Sequence, residues 1–119
     1  MNNEKLIHDW MVSHLRTRLS RDYDKVKVNL ADEKNEHDGF FPDLIMSNHG
    51  MVLAVVEVET EGSINEEKAA EWKKIAEAGT KLILMVPKRT KAKVIDLLWK
   101  VGLAGSASIG TYELNVNMP

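Results

Sequence analysis

Apolar residues recur along this chain in two rhythms, and each rhythm predicts a kind of element. Over residues 3–20, Ile7, Met11, Leu15 and Leu19 return every three or four positions, the stripe of an amphipathic helix, with Trp10 and His14 widening it and Asn2 or Asn3 capping its start. Val26, Val28 and Leu30 then alternate with polar residues, as on a half-buried strand. Residues 31–39, ADEKNEHDG, read as a solvated loop turning at Asp38-Gly39, with His37 on the surface. Two apolar runs, Leu44–Met46 and Met51–Val58, flank Ser47-Asn48-His49-Gly50 and predict a β-hairpin in which Gly50 supplies the unusual backbone angle.

Beyond the hairpin the pattern becomes helical again. Ser63 or Asn65 caps a helix with an inner stripe of Ala69, Trp72, Ile75 and Ala76, and Gly79 ends it. The run KLILMVP at 81–87 predicts a strand covered on both faces, parallel to strand 51–60 because a helix joins them. Lys88–Val101 is helical through Val94, Ile95, Leu98 and Val101, and Ile109–Val116 is a final strand with Tyr112, Leu114 and Val116 on one face. The expected order is α-β-β-β-α-β-α-β, an α/β fold with a mixed central sheet flanked by helices.

Composition narrows the function classes. A chain of 119 residues fits one domain, 1–119, with a single core. No apolar run is long enough to span a bilayer, and MNNEKLIHDW mixes charges into its apolar residues, unlike a secretory signal. The absence of cysteine excludes disulfides, thiolate metal sites and thiol nucleophiles, and a cytoplasmic protein without membrane attachment is expected. Net charge is −2, split between an acidic first half (residues 1–61, 7 Lys/Arg against 12 Asp/Glu) and a basic second half (9 against 6). The cluster Lys88, Arg89, Lys91, Lys93 is either a solvated face or a contact for phosphate. No glycine-rich phosphate loop follows a strand, His8 and His14 are wrongly spaced for a zinc pair, and GxSxG is missing.

The acids carry what chemistry remains. Glu57 and Glu59 sit two apart at the end of an otherwise apolar strand and so share a face, while Asp43 lies on the partner strand within a pleat or two of Glu57. Carboxylates this close repel one another unless a cation sits among them, and hard oxygen ligands suit Mg²⁺ or Mn²⁺. Glu4 lies on the inner face of the first helix, with His8 close beside it, where the alternative is a solvated first-turn glutamate. Lys68 is the one lysine of the second helix facing back over the sheet, as either a site residue or a lysine whose stem covers the edge of the core.

Pro42-Asp43, thirteen residues, then Glu57-Val58-Glu59 resembles the motif of the PD-(D/E)XK nuclease superfamily, and the resemblance covers roughly residues 3–87. It implies a restriction-endonuclease-like α-β-β-β-α-β core, similar in size and layout to the small archaeal Holliday-junction resolvases. By that resemblance Asp43 and Glu57 bind Mg²⁺ or Mn²⁺, Glu4, which matches the first-helix acid of many members, joins them at the metal, and the partner is DNA or RNA, held by a homodimer. The family's lysine is Glu59 here. Some members move the lysine to the following helix, which assigns that part to Lys68, with Asp43, Glu57, Glu59 and Lys68 as the catalytic group. Other members have lost catalysis and serve as protein-interaction or nucleic-acid-binding modules. The expected function is therefore metal-dependent phosphodiester hydrolysis, with such an inactive module as the alternative.

Overall fold

The structure, a computed structural model, describes residues 3–114. Its elements follow the expected order: α1 (Glu4–Leu19), β1 (Lys25–Val28), β2 (Leu44–Asn48), β3 (Met51–Val58), α2 (Glu66–Glu77), β4 (Lys81–Pro87), α3 (Lys91–Lys100) and β5 (Ala107–Tyr112). Short 3-10 turns at Glu61–Ser63 and Lys88–Thr90 lead into α2 and α3. The five strands form one mixed sheet in the order β1-β2-β3-β4-β5; β1, β2 and β3 are antiparallel, while β3, β4 and β5 run parallel. Among the described residues no helix is long and apolar enough to cross a membrane.

Alternation along the strands divides the core between two faces. Ile45, Val55, Leu82, Leu84 and Val86 pack beneath α2 and α3 with Trp72, Ile75, Val94 and Leu98. Leu44, Met46, Val56 and Val58 point the other way, onto Met11, Val12 and Leu15 of α1. Strand β4 is closed tightly on the α2/α3 side, whereas Ile83 and Met85 on its other face are only partly buried.

The hairpin turns through two residues, His49 (φ 52) and Gly50 (φ 78). Positive φ at both positions is the tight geometry whose twist matches the strands, so His49 shares the unusual backbone expected of Gly50 alone. A bulge follows. Met46 pairs with Ala54 but Ser47 with Val52, which leaves Leu53 unmatched. The extra residue shifts the register for the rest of the hairpin, and Leu44 then faces Val56. One step further along, Asp43 comes opposite Glu57.

Four expectations are corrected. Trp10 does not widen the buried stripe of α1; it is 51% exposed and stacks on His14, and Val12 on the opposite flank is buried instead. A helix lying on one corner of a sheet buries a narrow strip, and the sheet's twist selects its side. On α3, Leu97 takes the inner place expected of Ile95, which is 38% exposed, because at about 100° per residue Leu97 falls on the same arc as Val94 and Leu98 while Ile95 lies at the edge of that stripe. His37 is not a free surface residue, since its Nε2 lies 2.7 Å from Thr80 Oγ1 and ties the 31–39 loop to the start of β4. Strand β5 spans Ala107–Tyr112 rather than 109–116, and Val116 lies outside the described residues.

Candidate functional site

The loop before β2 is pinned so that Asp43 enters the sheet at a defined height. The Asn29 side chain donates to the carbonyls of Asn35 (2.9 Å) and Pro42 (2.6 Å), and Asn29 N donates to the Asp43 carbonyl (3.1 Å). The Asp43 carboxylate is then held from two sides. Val58 N donates to Oδ2 at 2.8 Å, and His8 Nε2 of α1 lies 3.0 Å from Oδ1. The other His8 ring nitrogen, Nδ1, is 2.9 Å from Asp9 Oδ1. An imidazole between two carboxylates donates from both nitrogens, which requires the imidazolium. The hydrogen bond to Asp43 is the main cause that raises His8 to about 9, against the opposing effect of burial.

Glu57 occupies the register position opposite Asp43 and is pushed well above the usual carboxylate range. Burial is the first cause, followed by the charge and hydrogen bond of Asp43 and then by the charge of Glu59. Glu57 therefore keeps its proton to a higher pH than an exposed glutamate does.

Glu59, where the resemblance expects a lysine, is 1% exposed. Trp72 Nε1 donates to its Oε2 at 2.8 Å and Ser63 Oγ to its Oε1 at 2.7 Å, while Tyr112 Oη donates to its backbone carbonyl at 2.7 Å. Burial raises its carboxyl; the Trp72 and Ser63 hydrogen bonds and the Lys68 charge oppose that. So bound, Glu59 holds α2 against the end of β3 and places Lys68, whose Nζ stands 3.9 Å from Glu59 Oε1 and 3.6 Å from Glu71 Oε2. Burial pulls the Lys68 amine down, but the charges of Glu59, Glu57, Glu71 and Asp43 outweigh it, and the net shift is upward. Its backbone N–H is capped by Asn65 Oδ1 at 2.8 Å, which fixes the first turn of α2.

Glu4 reaches across to the turn after β3. Its Oε1 accepts from Thr60 Oγ1 at 2.9 Å and its Oε2 from Gly62 N at 2.8 Å. Only glycine admits this approach, because a Cβ at position 62 would lie 2.5 Å from Glu4 Oε1. Gly62→Ala is expected to cost about 1–2 kcal/mol, through crowding and the weakening of a charge-assisted hydrogen bond. In a Glu4→Ala background the same change should be nearly neutral. Urea denaturation of the four proteins checks this, and an equal cost in both backgrounds would count against the clamp.

Asp43, Glu57, Glu59, Lys68 and Glu4 thus all line one hollow of about 220 Å³, together with His8. The sequence pattern sets His8 beside Glu4 but gives it no role; a histidine one turn after an inward glutamate is the available signal. Among the described residues no three His, Asp or Glu side chains converge as a ready-made cation cage. Mg²⁺ commonly takes one or two carboxylates and completes its shell with water, and Asp43 and Glu57 are oxygen donors of that kind, crowded enough for the Asp43 charge to raise Glu57. Compared with known protein families, curated proteins and solved structures, the chain has no match.

Proposed function

We propose that this protein is a metal-dependent nuclease of the PD-(D/E)XK type, hydrolysing phosphodiesters of DNA or RNA on a restriction-endonuclease-like fold. The observation that carries the reading is the meeting of Asp43 and Glu57 across the hairpin, in one hollow with the Lys68 amine. Bound there, Mg²⁺ or Mn²⁺ would supply Lewis-acid polarisation of a phosphoryl oxygen and a more acidic water. Asp43 and Glu57 would hold the ion. Val58 N keeps the Asp43 carboxylate turned into the hollow, and the His8 imidazolium limits repulsion between the acids. Lys68, supported by Glu59, presents a cation where negative charge builds on the reacting phosphate. Glu59 acts through Lys68 and its hold on α2, and Glu4 through the turn at Thr60–Gly62. A homodimer belongs to the same reading, since one domain of this size offers little surface for grasping a duplex.

Calorimetric titration with Mn²⁺ tests the site directly. The wild-type chain is expected to bind near-stoichiometric metal at millimolar concentration or below, and Asp43→Ala to weaken it by about a hundredfold or more, since even supporting residues of metal sites are worth 10–100-fold. Absence of binding, or binding indifferent to Asp43→Ala, removes the nuclease reading. A second reading, an inactive binding module on the same scaffold, is favoured by one observation: Lys68 leans towards Glu59 and Glu71. It predicts no metal response and no cleavage of any nucleic acid.

A further inference from the structure

A second hollow, of about 450 Å³, opens where the parallel strands β3, β4 and β5 end. Glu4 and Thr60 line this hollow and the first one alike, so the two grooves adjoin at the hydrogen-bonded Glu4–Thr60 pair, on the side of Asp43 and Glu57. The new part differs in character. Ile7, Pro87, Tyr112 and Leu114 give it an apolar and aromatic wall, and its charged lining is Lys88 and Arg89 with their partners Glu113 and Glu61, beside Glu4. The Tyr112 ring is fixed in place by its hydroxyl bond to the Glu59 carbonyl, and burial pushes that hydroxyl up to about 12, so the ring is a rigid, neutral surface.

Resting on the nucleic-acid reading above, we propose that this groove takes an unpaired nucleotide of the strand being acted on. Its base lies against the Tyr112–Leu114 wall and its phosphate meets Lys88 and Arg89, while a neighbouring phosphodiester reaches Asp43 and Glu57. Three features favour that occupant. The volume lies within the range of about 300–1,000 Å³ typical of pockets for small ligands, room enough for a single nucleotide. In a duplex the base faces are hidden by stacking, so among nucleic-acid partners an apolar, aromatic wall beside cations suits a base that has left its pair. The rim cations are also free to exchange partners. Lys88 pairs with Glu113 at 3.6 Å and Arg89 with Glu61, but these side chains are 68% and 78% exposed, and such surface pairs are weak enough for phosphate to replace the carboxylate.

Binding of fluorescent oligonucleotides in a chelator, where no cleavage occurs, tests the groove apart from the nuclease reading. A duplex with a short single-stranded tail is expected to bind about tenfold more tightly than the same duplex with blunt ends, the scale of one stacked base. Leu114→Asp, at a residue 45% exposed, should abolish that preference while keeping the salt dependence. Lys88→Ala with Arg89→Ala should lower the salt slope by about 0.7 for each phosphate no longer neutralised. Equal binding of tailed and blunt duplexes overturns the proposal, as does a tail preference that survives both sets of substitutions. Full competition by an equal concentration of a deoxynucleoside monophosphate would overturn it too, by making the occupant a free nucleotide. Cleavage without tail preference would leave the nuclease reading standing and remove this one; tail preference without cleavage would do the reverse.

Discussion

Trp72→Ala is expected to destabilise the protein by about 4–5 kcal/mol, a larger effect than that of any other substitution proposed for this chain. Trp72 has no exposed surface and sits in the core beneath α2 and α3, so its removal leaves a cavity that the close-packed neighbours cannot fill. It also orphans Glu59 Oε2, on a carboxylate that is 1% exposed. The two contributions can be separated. Trp72→Phe keeps most of the ring volume but removes the indole N–H, and should cost about 2–3 kcal/mol, much of it from the unsatisfied acid. With Glu59→Met there is no carboxylate to orphan, and the further cost of Trp72→Phe should fall by at least about 1 kcal/mol. Urea denaturation of the double-mutant cycle measures that coupling. A cost of Trp72→Phe that is the same with and without Glu59 would show that the hydrogen bond does not bind α2 to the sheet.

The second large effect concerns charge. Without metal, stability is expected to be highest in mild acid and to fall as pH rises towards 9. The sign follows from where the protons sit. In the unfolded chain Glu57 ionises near 4.5, whereas the folded protein still holds its proton well above that, so between the two values the folded state binds more protons and loses stability with rising pH. Glu59 is raised and acts in the same direction. The contribution of His8 is fully present below 6.5 and is lost as pH rises through about 9. After allowance for its partial exposure, His8 accounts for about 2 kcal/mol of the decline. Glu57→Gln keeps the side-chain shape and removes one of the crowded charges. In chelator at about pH 8 it should stabilise the fold by about 1–3 kcal/mol and flatten the pH dependence, as expected when an unfavourable buried charge is neutralised. Added Mn²⁺ should raise the melting temperature of the wild type at that pH and leave Glu57→Gln largely unmoved. Thermal unfolding across a pH series decides the matter. A Glu57→Gln protein that melts lower than wild type at alkaline pH, with the wild-type slope intact, would contradict a strained carboxyl pair.

Much of this molecule follows from local pattern. Periods of two and of three to four residues specify the order of all eight elements, the hairpin and the parallel return through α2, because those periods report which side of an element is buried. The shared direction of Glu57 and Glu59 is likewise a property of a strand, and the facing of Lys68 a property of a helix, so both are legible along the chain. The meeting of Asp43 with Glu57 is legible only to within a pleat, because it depends on the unmatched Leu53, and a bulge is set by how two strands fit together. His8 against Asp43, Trp72 against Glu59 and Glu4 against Gly62 join residues far apart in sequence. No period encodes such pairings. They exist because α1 packs on one face of the sheet and α2 on the other, and both reach the same end of β3. The sequence by itself determined which elements form and which acids lie near the sheet's end; only the tertiary structure decided that one of those acids holds a proton, another holds a tryptophan, and a third is tied to a histidine, since burial and neighbouring charge exist only once the layers have closed.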